Sequence, residues 1–327
     1  MKLRSGSRQQ IVLPSVNLSD GRLVTNIPMV FESWGIEPAG GSPVFLLIHA
    51  LTGSSHAKST QEDPTPGWWE EFLGTSGEAI DLTRCTVIAP NLPGSCYGSW
   101  VPDERDEIGL SIADQSRILA ALISSLGISS LDAVIGGSLG GMVALQFCAD
   151  KLIPVKKAVI LSCGARQSAW AKSWGHLGLS ALKNSVNESA GLALARQIAM
   201  LSYRTPPDFD SKDQPGKTVQ HYLYYQGSKF VNRFTTRSYE LLVRAMDTHL
   251  VTSVLDGIDG LIIGNQQDLL YPLADQEAVC SLFPVHRFVV INSDKGHDAF
   301  LTESDDLNPV IRDFLHGTAD LRLTGTT

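Results

Sequence analysis

The hexapeptide Gly136-Gly137-Ser138-Leu139-Gly140-Gly141 constrains this chain more than any other stretch. It follows Leu131-Asp132-Ala133-Val134-Ile135, an apolar run that reads as a buried strand. It precedes Met142-Val143-Ala144-Leu145-Gln146-Phe147, whose apolar residues suit a buried helix. Strand, tight turn and helix form the context in which G-x-S-x-G carries meaning. The turn forces an unfavourable backbone angle on Ser138, so Gly136 and Gly140 must carry no side chain that would clash. The serine oxygen then stands near the unpaired N–H groups of the helix. A serine hydroxyl is still a weak nucleophile, and it needs a base, an orienting acid and a place for an oxyanion. A glycine-rich turn with an incidental serine is the competing reading, and the rest of the chain decides between them.

On either side the sequence reads as a mostly parallel α/β sheet. Ile11-Val12-Leu13 and residues 29–35 flank a turn at Asp20-Gly21 and fit an antiparallel opening. Residues 43–49 and 85–90 are continuous apolar runs, too short for helices and suited to central strands. Small polar residues, His49 to His56, follow the first of these; a loop leaving that strand would lie beside the nucleophile turn and offer a backbone N–H to an oxyanion. Residues 67–72 predict a short helix, and 112–126 a longer one ending at Gly127. The loop 91–100 reads equally as a plain turn or as one wall of the site. Strand patterns return at 157–162, 260–264 and 287–291, with helical spacing from Gly164 to about Leu250. Such an insertion reads as a helical cap after the sixth strand, over the carboxyl ends of the strands. The division is therefore a core of residues 1–163 and 251–327 carrying a cap at 164–250, with a short tail after Gly317.

A nucleophile turn predicts an acid after a later strand and a histidine after a still later one. Of the histidines beyond Ser138, His176, His221 and His249 fall in the helical insertion, His316 ends a terminal helix, and His286 precedes its strand. His297, in Asp294-Lys295-Gly296-His297-Asp298, is left in a loop directly after a strand. By the same test Asp268 follows the strand ending at Gly264, whereas Asp256 and Asp259 precede it, and Asp294 and Asp298 stand too close to His297. Ser138, Asp268 and His297 therefore compose a candidate catalytic triad.

Charge and cysteine content exclude several classes. The net charge of −8 comes without a basic block, which argues against nucleic acid as a partner. Five scattered cysteines without a C-x-x-C pair read as reduced thiols. No run reaches the ~18 apolar residues of a membrane span, and the start of the chain lacks an apolar leader, so a cytoplasmic protein is expected. No metal site is expected.

Taken together, His49 to His56, Gly67-Trp68-Trp69, Cys96-Tyr97-Gly98-Ser99, residues 135–141, Ala195-Arg196 through Tyr203-Arg204, Tyr225-Gln226-Gly227 with Lys229-Phe230-Val231, and Gly296 to Leu301 resemble the homoserine O-acetyltransferase family of α/β-hydrolase-fold enzymes. The resemblance spans nearly the whole chain. It implies double-displacement transfer of an acyl group from acyl-CoA, most simply acetyl-CoA, to L-homoserine in methionine synthesis. Neighbouring chemistries are a serine acceptor, a succinyl donor, or hydrolysis of small esters. It further implies an oxyanion site at the N–H groups of Leu51 and Leu139, with Arg196, Tyr203 and Thr52 as substrate-binding residues alongside Asp298. Arg196 and Tyr203 would take the acceptor's carboxylate and Asp298 its ammonium; the competing reading of Arg196 is a helix-surface cation. No cofactor is bound permanently, small molecules are the partners, and a homodimer through the cap is implied. Departures from the family pattern, Pro93, Ser95, Trp100-Val101 and Leu139 among them, lie along the substrate pocket.

Overall fold

Strand β3 (Val44–Ile48) is apolar and buried at every position, the pattern of a strand covered on both faces. In the computed structural model, which describes residues 3–38, 41–103 and 109–317, it lies inside an eight-stranded sheet. The order is β1 (Ser7–Asn17), β2 (Leu23–Gly35), β6 (Thr86–Pro90), β3, β7 (Leu131–Gly137), β8 (Val155–Leu161), β9 (Asp259–Asn265) and β10 (Val285–Ile291). Strands β4 (Leu73–Gly74) and β5 (Ile80–Asp81) pair with each other outside it. β1, β2 and β6 pair antiparallel and every later neighbour pair is parallel.

Alternation along the central strands sends Leu46, Ile48, Ile88 and Val134 to one core, and Phe45, Leu47, Val87, Ala133 and Ile135 to the other. Helices α1 (Ile112–Ser125) and α2 (Leu139–Asp150) close the first; Trp69, Phe72 and α10 (Ser304–His316) close the second. α1 opens with a capping box of Ser111 and Asp114 and stops before Gly127, at φ +79°.

Between β8, the sixth strand of the sheet in chain order, and β9 stand α3 (Ala169–Asn184), α4 (Glu188–Tyr203), α5 (Pro206–Asp210), α6 (Val219–Val231) and α7 (Thr236–Asp247). Each starts where Ser168, Asn187, Thr205, Thr218 or Thr235 turns its side-chain oxygen to an N–H three residues on. Short helices α8 (Leu273–Glu277) and α9 (Ala299–Thr302) follow β9 and β10.

Two local expectations shift. The helix predicted at 67–72 is a single 3-10 turn, Glu70–Phe72, because the chain enters β4 at Leu73 while Glu70 turns its carboxylate back to the N–H groups of Ser59 (2.7 Å) and Gly67 (2.9 Å). His286 does not precede its strand; pairing with β9 begins at Val285 and makes it the second residue of β10. The tail expected after Gly317 lies outside the described residues.

The chain passes from β3 to β6 on one side and reaches β7 on the other, so the order reverses at β3. A crevice at the carboxyl ends of β3 and β7 is where such sheets bind ligands. There α2 rests backbone to backbone on the end of β3. A Cβ added at Gly140 would lie 2.2 Å from the carbonyl oxygen of Ile48, and one at Gly136 would lie 2.2 Å from that of Gly140. Gly140→Ala is therefore expected to lower the free energy of unfolding by about 3 kcal/mol in urea titration; an unchanged midpoint would contradict this packing.

Candidate active site

Ser138 joins β7 to α2 at φ 55°, ψ −125°, a conformation held by its N–H bonding Leu161 O (2.9 Å) and by Met142 N–H bonding its own carbonyl (3.0 Å). The residue is 5% exposed. Its Oγ lies 2.9 Å from Nε2 of His297, and Nδ1 of that ring lies 2.8 Å from Oδ2 of Asp268. A carboxylate only accepts, so Nδ1 carries a proton and Nε2 is left to accept the serine hydroxyl. Oδ1 of Asp268 takes the N–H groups of Leu270 and Tyr271, both at 2.9 Å, which fixes the carboxylate without a cation.

Burial alone would push the His297 imidazole below its ordinary value. The charge and hydrogen bond of Asp268, with Asp298 adding to them, outweigh burial and raise it above 6.5. The rings of Tyr271 (5.4 Å), Tyr203 (5.6 Å) and Phe300 (5.8 Å) enclose the imidazole.

A cavity of about 390 Å³ opens in front of Ser138 and His297. Leu51, Thr52, Arg196, Tyr203 and Asp298 line it, so distant segments of sequence converge there with the serine and the histidine. Asp268 stands behind the histidine, and Leu139 is fully buried as the first residue of α2, whose N–H lacks a partner within its helix. Arg196 faces the cavity with its guanidinium 5.5 Å from the Phe230 ring and 5.7 Å from that of Tyr203, and no carboxylate among the described residues pairs with it. Burial pushes the Tyr203 phenol up to about 12. Loop 91–100 does not line this cavity: Ser99 Oγ bonds Asn91 O (2.6 Å), as befits the turn reading.

Four further residues belong to the site. Arg204 lines the cavity and binds Asp298 through Nε at 2.8 Å. Arg233 also lines it and donates to Thr52 O (2.8 Å). Asn265 joins the loops of Asp268 and His297 by donating to Ser293 O (3.0 Å) and Gly296 O (2.6 Å). Buried Asp208 holds Lys212 and Lys295 (2.9 Å) and faces Arg204 at 3.7 Å. The motif Tyr203-Arg204 offered a signal for Arg204; nothing in the sequence distinguishes Asn265 from other asparagines at strand ends.

Residues 43–304 match the family described as alpha/beta hydrolase fold. A homoserine O-acetyltransferase of Thermus thermophilus is 35% identical over 338 residues, covering 90% of this chain and 87% of its own. One from Salinibacter ruber is 32% identical, covering 93% and 96%. Among solved structures, homoserine O-acetyltransferase from Staphylococcus aureus superposes with a TM-score of 0.85 at 27% identity, over 96% of each chain. Esterase E22, with a TM-score of 0.84 at 22% identity, shares the fold. With its strand, tight serine turn and helix, its sheet and these relatives, the chain belongs to the alpha/beta hydrolase fold and, within it, to the homoserine O-acetyltransferase family.

Proposed function

We propose that this chain transfers an acetyl group from acetyl-CoA to the hydroxyl of L-homoserine through an acyl-enzyme on Ser138. The observation that carries the reading is the hydrogen-bonded series Ser138, His297, Asp268 opening onto a cavity that also holds a carboxylate, Asp298, and the guanidinium of Arg196, with which no carboxylate among the described residues pairs. In the first half-reaction Ser138 Oγ attacks the thioester carbonyl as its proton passes to His297 Nε2. The tetrahedral oxyanion collapses, the C–S bond breaks, and the leaving thiol takes that proton. In the second, His297 takes the proton of the homoserine hydroxyl, whose oxygen attacks the serine ester; Ser138 leaves and recovers the proton. Asp268 keeps the imidazole in the tautomer required and stabilises its cation. The N–H groups of Leu51 and Leu139 serve as oxyanion donors.

A zwitterionic acceptor calls for one fixed cation and one fixed anion. Arg196, with the Tyr203 hydroxyl, suits its carboxylate, and Asp298 its ammonium, with Arg204 holding that carboxylate in place. Thr52 contributes to the wall, its carbonyl being committed to Arg233. Residues 164–250 act as a cap that keeps water from the ester, over a core of residues 1–163 and 251–327. Exposed Trp170, Leu177, Tyr224 and Tyr225 on α3 and α6 suit pairing of two caps in a homodimer. Homoserine O-acetylation places the protein in methionine synthesis, in the cytoplasm.

CoA release measured from acetyl-CoA or succinyl-CoA, with L-homoserine, L-serine or water, tests the substrates. Release that depends on both acetyl-CoA and L-homoserine is expected; release without an acceptor would make the protein a hydrolase. Arg196→Met is expected to raise KM for the acceptor about 10–100-fold, the worth of a charge-assisted contact, with KM for acetyl-CoA unchanged; equal effects on both would remove Arg196 from the acceptor site. His297 acts as base only when neutral. Its raised value therefore predicts that kcat/KM falls with decreasing pH through a midpoint above 6.5. Asp268→Asn is expected to lower that midpoint and to reduce kcat about 10⁴-fold; a pH profile unmoved by the substitution would contradict the pairing.

A further inference from the structure

Among the buried titratable groups that the acyl-transfer reading leaves without a task, one stands beside the oxyanion loop. His49, 1% exposed at the end of β3, has both ring nitrogens hydrogen-bonded: Nδ1 lies 2.7 Å from Ala50 O, and Nε2 lies 3.0 Å from the N–H of Leu92. A carbonyl only accepts and a backbone N–H only donates, so Nδ1 carries the proton and Nε2 is bare. The two contacts thus select one tautomer of a neutral ring. Burial, which pushes the imidazole down to about 4, keeps it neutral.

The Ala50 carbonyl also takes the N–H of Gly53 at 2.9 Å. A trans peptide is planar, and its C=O and N–H point in opposite directions. Two donors that fix the Ala50 oxygen therefore fix the direction of the Leu51 N–H on the far side of the same plane. Further along the loop, Thr52 O is held by Arg233 (2.8 Å) and Ser54 O by Trp68 Nε1 (2.9 Å). A Cβ at Gly140 would lie 2.2 Å from Ile48 O and 2.9 Å from His49 O, so the start of α2, with Leu139, is packed directly on the chain that leads into this peptide.

We propose that His49 is a positioning residue of the oxyanion site: as a neutral imidazole protonated at Nδ1, it aims the Leu51 N–H at the oxygen that becomes negative when Ser138 attacks a carbonyl. The proposal rests on the acyl-transfer reading for its substrate. His49 touches no reacting atom and acts through the peptide that follows it.

Asparagine and glutamine imitate the two halves of the ring. His49→Asn keeps an N–H donor near the Nδ1 position, toward Ala50; His49→Gln keeps an acceptor near the Nε2 position, toward Leu92. With His49→Gln, kcat is expected to fall about 10²-fold, the scale of a lost oxyanion donor, while KM for acetyl-CoA stays within about twofold. Inhibition by a trifluoromethyl ketone, which adds Ser138 and forms the oxyanion, is expected to weaken by a similar factor. His49→Asn is expected to recover most of both. Equal losses in the two variants, or an inhibition constant that does not move with kcat, would overturn the proposal. Nitrogen-15 NMR of the unmodified protein tests the tautomer without any variant. A proton on Nδ1, a bare Nε2 and no titration between about pH 5 and pH 9 are expected; an Nε2–H tautomer or a titrating ring would overturn it. If the protein takes no acyl group from acetyl-CoA yet binds the ketone with this dependence on residue 49, the substrate reading fails and the role of His49 stands.

Discussion

The close seating of α2 on β3 is the constraint from which the site follows. Gly140 allows it, since a Cβ there would fall 2.2 Å from the carbonyl oxygen of Ile48, and Gly136, on β7, lets the chain bend as tightly into α2, since a Cβ there would fall 2.2 Å from that of Gly140. The same packing holds Ser138 at φ 55° and brings the start of α2 beside the chain that leaves β3. A left-handed conformation at a non-glycine residue is costly, and it persists only where the surroundings over-determine it. Here the surroundings are two strands and a helix, fixed by cores on both faces of the sheet.

Around that bend the polar groups are arranged so that each buried charge meets a fixed partner. Asp268 is satisfied by two backbone N–H groups and one imidazole; it holds the ring at 2.8 Å and raises its proton affinity against the opposing effect of burial. The loop that carries His297 is tied three times more. Asn265 binds it from the acid side, while Arg204, through Asp298, and Asp208, through Lys295, bind it from the helical segment. At Gly296, φ +60°, a Cβ would sit 2.8 Å from Tyr203 O. The helices between β8 and β9 are thus joined to the histidine loop and share in its geometry, and their Arg196 and Tyr203 face the same cavity as Ser138.

Much of this was legible in the sequence because it is written in short-range chemistry. Continuous apolar runs became β3 and β6, the hexapeptide became the bend, and the order serine, aspartate, histidine picked Asp268 and His297 from many candidates by their place after strands. What was not legible depends on partners remote in the chain. Arg204, Arg233 and Asn265 acquire roles only when segments about 94, 181 and 31 positions away arrive beside them. The loop 91–100 was ambiguous because its small and aromatic residues suit a turn and a wall alike; the bond from Ser99 to Asn91 folds it back on itself, away from the cavity. His286 shifted because strand ends are set by pairing with β9, which the sequence pattern locates only to within a few residues.

The central claim is that the acyl group rests on Ser138 between its two transfers. Intact-protein mass spectrometry after brief exposure to acetyl-CoA in the absence of any acceptor, followed by peptide mapping, reads this directly. The account predicts one acetyl group per chain, located on Ser138 and discharged when L-homoserine is added. An unmodified chain that releases CoA only when acceptor is present, or an acetyl group on another residue that transfers as fast, would contradict it.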